Sequence, residues 1–130
     1  MEKIIQWLQT FPGWCDTVLV DHIPGRTGCV GLYPLGIRVI GRKADIAGGE
    51  KLRLQSNYQL KRLTPLGQDN LPQAVWLQQL QSWILQQSRA GLAPGLGEDT
   101  HWSVRDGKLE KDRQPGVGMY SLILVAEYTK

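Results

Sequence analysis

One hundred and thirty residues and 14.6 kDa, 42% hydrophobic and 21% charged, describe a chain of one-domain size that is too apolar for intrinsic disorder. A net charge of +3 is far from the footprint of a nucleic-acid-coating protein, and no run approaches the ~18 apolar residues of a membrane span. Glu2, with Gln6 and Gln9 breaking the first apolar stretch, is unlike a cleavable secretion signal, so the expectation is one soluble domain over residues 1–130, not exported by the general secretion route.

Glu2 to Leu8 reads as a short helix, with Ile4, Ile5 and Leu8 on one stripe beside Trp7, stopped by Phe11-Pro12-Gly13. Thr17 to Val20 is a β-branched run, hence a strand. Pro24 to Gly28 reads as a turn, and Cys29 to Tyr33 as a second strand. Pro34-Leu35-Gly36 predicts a break before a further strand, Ile37 to Arg42. From Lys51 to Leu63 the residues alternate: Leu52, Leu54, Ser56, Tyr58 and Leu60 on a dry face, Lys51, Arg53, Gln55, Asn57, Gln59 and Lys61 on a wet one. Gly48-Gly49 ahead of it predicts an antiparallel hairpin with the preceding strand.

Thr64 to Asn70 is turn-rich, with Asn70 as a helix cap, Pro72 in the first turn and Gln73 in a capping-box position. The helix it opens runs to about Arg89. Trp76, Leu80, Trp83 and Ile84 recur at helical spacing opposite Gln78, Gln79, Gln81, Gln86 and Gln87, and Gly91 with Pro94 ends it. The glutamine face reads as plain helix propensity or as an uncharged face that another protein can cover with little desolvation penalty.

Leu92 to Asp99 is a loop, and Asp106-Gly107 reads as a two-residue hairpin turn between His101–Arg105 and Lys108–Arg113. The last strand, Met119 to Thr129, is apolar on both faces: Leu122 and Leu124 on one, Ile123 and Val125 on the other. Such a strand is central in its sheet or covered by another chain. The order of elements predicts an α+β fold: a mainly antiparallel β-sheet with a long amphipathic helix and a short N-terminal helix packed on it.

The chemistry-bearing residues form no catalytic or metal-binding signature. Cys15 and Cys29 lack the paired spacing of a zinc site and are too few for a disulfide framework. Asp16, Asp21 and His22 read as a solvated turn rather than an acid–base dyad, and no phosphate loop or nucleophile elbow occurs. No cofactor, metal ligand or catalytic residue is therefore expected.

Charge is unevenly distributed. Arg38, Arg42, Lys43, Lys51, Arg53, Lys61 and Arg62 face only Asp45 and Glu50 across the central third, which reads as a solvated sheet face or as a surface for an acidic partner. Direct nucleic-acid binding is not expected. The wet face of the Lys51–Leu63 strand has no aromatic side chain for base stacking, and the helix from Trp76 to Gln87 carries no Lys or Arg.

Several segments together cover most of the chain: Gly31-Leu32-Tyr33-Pro34-Leu35-Gly36 with Ile37-Arg38-Val39; Tyr58-Gln59-Leu60-Lys61-Arg62; Trp76-Leu77 and Trp83 running into Ser88–Pro94; and Gly118–Leu122 through Glu127–Lys130. In this order the chain resembles the small tail-terminator (tail-completion, minor capsid) proteins of siphophages and prophages. The resemblance implies a virion structural protein, not an enzyme, made in the bacterial host cytoplasm and located in the phage tail. It implies a homo-oligomeric, usually hexameric, ring whose partners are itself, the tail-tube protein and the head–tail connector. A connector subunit or a nucleic-acid-binding module is the alternative. Strand edges and faces are the natural ring contacts, which makes Arg38, Arg42, Lys51, Arg53, Lys61, Ile123 and Val125 the candidate interface residues.

Overall fold

The computed structural model describes residues 2–12, 18–20, 30–44, 46–65, 71–111 and 117–130. The chain order is α1 (Glu2–Leu8), β1 (Val18–Val20), β2 (Val30–Ala44), β3 (Glu50–Pro65), α2 (Leu71–Arg89), β4 (Glu98–Lys111) and β5 (Val117–Thr129). The strands form one sheet in the order β1-β2-β3-β5-β4. Among the described residues the short β1–β2 pair is parallel and the other three pairings are antiparallel. The fold is α+β. Cys15, Cys29, Asp16, Asp21, His22, the turn expected at Pro24–Gly28 and the cap expected at Asn70 lie outside the described residues.

Both helices pack on one side of the sheet. Ile4, Trp7 and Leu8 of α1 and Trp76, Leu77, Leu80 and Ile84 of α2 share a cluster with Leu32, Leu60, Trp102, Tyr120, Leu122 and Leu124. Leu32, Leu60 and Leu122 are register neighbours on β2, β3 and β5, so one row of the pleat supplies the floor on which α2 rests. The helix is 19 residues long, but its stripe is not clean: Val75 and Leu85 are exposed while Trp83 is only partly buried. It ends as a Schellman motif. Gly91 adopts φ 74°, Leu92 N–H donates to the Gln87 carbonyl at 2.9 Å, and Gly91 N–H donates to Ser88 at 3.2 Å.

The strand boundaries depart from the sequence expectation at three places. Pro34-Leu35-Gly36 does not break the chain. Strand β2 runs straight through, with Pro34 opposite Tyr58 and Gly36 opposite Asn57, so Leu35 is an extra residue in a bulge, as is Ile40 between Val39 and Gly41. Thr64 and Pro65 continue β3 instead of opening a turn. Asp106-Gly107 is not a hairpin turn. Arg105 pairs with Ile123 and Lys108 with Ser121, which leaves two β4 residues opposite Leu122 alone. Asp106 takes the left-handed conformation (φ 54°) that the sequence signal anticipated, but it spends it on a bulge. The side chain of Gln81 and Leu122 Cδ1 lie within 3.4 Å of where a Cβ at residue 107 would sit, so a glycine follows there. The hairpin at Gly48 is present, with φ 86° at that glycine and Ala44 opposite Glu50. Lys130 pairs back onto the sheet: it and Leu52 exchange backbone hydrogen bonds of 2.9 and 3.0 Å.

Candidate interaction surface

The register sorts the candidate interface residues into two faces. Arg38, Lys51, Arg53 and Lys61 lie opposite or beside Gln55, Glu127 and Ser121 on the face that carries no helix, as do Ile123 and Val125. Arg42 does not join them. The bulge at Ile40 shifts the pleat, so Arg42 pairs with Leu52 on the helix-side face, where it meets Glu50 at 3.4 Å.

The open face is a set of polar rows crossing the strands. Arg38 Nε donates to Gln55 Oε1 at 2.9 Å, and Gln55 Nε2 donates to Glu127 Oε1 at 3.2 Å, so one row links β2, β3 and β5. His101 is the register partner of Glu127 on β4. In the next row Arg53 Nη1 donates to the Asp99 carbonyl at 2.9 Å and to Thr129 Oγ1 at 3.1 Å. Arg53 is therefore a brace within the fold as well as a surface cation. Lys51 reaches Glu98 at 3.1 Å. Both are exposed, so this pair contributes little stability.

Val125 is buried at 4% exposure although no described helix packs on its face, and Ile123 is partly buried. The two apolar faces of β5 follow from its central place between β3 and β4. Arg105 Nη2 donates to Asn57 Oδ1 at 3.4 Å, reaching over β5 between the rows of Ile123 and Val125.

Two features escaped sequence reading. Tyr33, on the open face opposite Gln59, lies under Lys61 Nζ at 5.0 Å from its ring centroid. Arg62 turns to the helix side and stacks its guanidinium on Trp76 at 4.2 Å. The alternation of β3 signalled Arg62 as a cation on the apolar face, and a tryptophan on the packed helix was the available partner. Ser56, which interrupts the dry face of β3, is buried and hydrogen-bonds Tyr128 Oη at 2.8 Å.

Among the described residues no cluster of His, Cys, Asp and Glu is arranged to hold a metal ion, and no helix is long and apolar enough to cross a membrane. A groove of about 560 Å³ runs along α2 between Phe11, Val75, Gln79 and Trp83 and is lined by no titratable side chain. The perturbed groups are structural. Burial pushes the Tyr58 phenol above its ordinary value, a Ser56 hydrogen bond opposing in part, and burial raises Tyr120 against the pull of Arg62. A phenol raised in the folded state keeps its proton longer than in the unfolded chain. The stability linked to both tyrosines is thus complete below about pH 10 and is lost as pH rises from there through the folded values. Urea midpoints measured between pH 8 and pH 11 are expected to fall only at the alkaline end, and Tyr58→Phe is expected to flatten that fall.

The chain matches no protein-family model and no curated protein.

Proposed function

We propose that this chain is a structural subunit of a phage tail: a tail terminator that assembles as a ring, caps the tail tube and joins it to the head connector, with no reaction to catalyse. The observation that carries the reading is the β2–β3 hairpin. Leu35, Ile37, Val39, Ile40 and Ile46 are 40% or more exposed along it, apolar surface suited to docking another protein of the particle rather than a neighbouring copy. The segments that resemble tail terminators support it too. They fall on β2, β3 and β5, which build the open face and this hairpin, and on α2, which packs against the opposite face. The natural copy-to-copy contacts are the polar rows of β3 and β5, since a ring needs two different patches on each subunit.

Native mass measurement and electron microscopy of the purified protein, alone and with tail tubes, test this. Closed rings, or a ring seated on the tube end, are the expected result. A persistent monomer that ignores tail tubes overturns it. Tight binding to bare DNA that falls steeply with salt favours a nucleic-acid module instead.

Lys61→Glu separates assembly from folding. Lys61 rests on Tyr33, so reversal is expected to weaken ring formation while lowering the unfolding free energy by no more than about 1 kcal/mol, the worth of an exposed cation–π contact. Arg53→Glu is expected to weaken assembly and also to lower stability, because Arg53 holds Asp99 and Thr129 within the subunit. Urea denaturation beside sedimentation reads the two effects apart.

A further inference from the structure

We propose that the edge of β2 between its two bulges, Gly36 to Val39, takes up a short extended strand from a different polypeptide, one that alternates apolar with acidic side chains. Three features on this edge lead there.

The first is a stretch of sheet edge with no described strand beside it. On β4 the Trp102 backbone N–H is already taken by Ser88 Oγ at 2.8 Å. On β2, among the described residues, β1 pairs only at Val30 to Leu32. Beyond that, and after Gly36 at φ 126°, Ile37 to Val39 runs in step with Ser56 to Leu54 between the bulged Leu35 and Ile40. Backbone groups on such an edge are a template for one more strand.

The second is a place for apolar side chains. A cavity of about 240 Å³ opens beside this stretch, lined by Pro34, Gly36, Ile37, Ser56, Asn57 and Tyr58. Ile37 and Val39 lie on the helix-side face with Ser56 and Leu54, yet are 65% and 46% exposed. Alternate side chains of an added strand would cover them.

The third is charge. Strand β2 carries Arg38, Arg42 and Lys43 and no acid. Arg38 and Lys43 stand on the open face, where the other set of alternate side chains would point. A second copy presenting the same edge would bring these cations against their own equivalents, and on its β4 edge the Trp102 backbone N–H is already bonded to Ser88 Oγ. An acidic strand from another protein meets neither obstacle. The inference goes beyond the ring assignment, which places the copy-to-copy contacts on the open face of β3 and β5.

The test is isothermal titration of the full chain with a synthetic peptide of about eight residues alternating Glu with Ile and Val, against the same peptide with Lys for each Glu. Wild type is expected to bind the Glu peptide at least about tenfold more tightly than the Lys peptide. Ile37→Asp and Arg38→Glu, checked for an unchanged urea midpoint, are each expected to weaken it about tenfold or more. Ile37→Asp is expected to leave the mass of any ring unchanged. No binding to wild type, equal binding of both peptides, or unchanged binding by both variants overturns the proposal. So does loss of the wild-type oligomer on Ile37→Asp with no peptide bound, which assigns the edge to a second copy. Selective binding by a chain that never forms rings upholds this inference and removes the ring reading instead.

Discussion

Trp102→Ala is expected to destabilise the subunit by about 3–5 kcal/mol, a large fraction of the ~5–15 kcal/mol that holds a domain of this size folded. Trp102 is 3% exposed and sits on an edge strand, where a side chain of this size is usually half solvated. It escapes that because three elements converge on it. Trp7 of α1 packs at 5.1 Å between centroids, Tyr58 of β3 at 6.1 Å, and its Nε1–H donates to the Pro94 carbonyl at 2.9 Å across the loop that follows α2. Trp7 in turn stacks on Trp83 at 5.3 Å. Truncation opens a void at the junction of α1, the post-helix loop and the sheet, and leaves a carbonyl without its donor. Trp102→Phe keeps part of the packing and loses the hydrogen bond, so it is expected to fall between wild type and Ala. Urea unfolding followed by circular dichroism gives the order; an Ala variant as stable as the Phe variant would show that the convergence contributes little.

Gly97→Ala is the second large effect, expected at the upper end of the ~1–3 kcal/mol range for forced overpacking. A Cβ on residue 97 would sit on the Thr129 carbonyl oxygen and 3.0 Å from the Tyr128 ring. Neither neighbour can yield freely. Thr129 is paired to Arg53 in the ladder, the next residue exchanges two backbone bonds with Leu52, and Tyr128 is buried with its hydroxyl on Ser56. Gly95→Ala is the matched control. Its Cβ would find nothing closer than 3.9 Å, so that change is expected to be neutral or slightly stabilising through the unfolded chain. Equal midpoints for the two variants would contradict the close approach at Gly97.

The hairpin at Gly48, helix α2 and the central place of β5 were legible because each rests on a local signal: a glycine able to take positive φ, a 3.6-residue repeat of large apolar side chains, and apolar residues on both faces of one strand. The bulges were not. Pro34-Leu35-Gly36 and Asp106-Gly107 carry turn chemistry, and the left-handed conformation at Asp106 is real. Whether such a residue reverses the chain or adds one residue to a strand depends on whether a partner strand continues alongside. For β4 that partner is β5, which runs on past Leu122 in both directions.

The candidate interface was legible only as a list of five cations and two apolar residues of the last strand. Its division into faces depended on the pleat, and a single extra residue at Ile40 moved Arg42 to the other side of the sheet from Arg38. By itself the sequence determined the class of fold, the strand and helix that build the core, and the basic character of the central third, because periodicity and charge are properties of neighbours along the chain. The tertiary structure alone decided which described strands pair and which side chains share a face of the sheet, because pairing joins residues far apart in sequence.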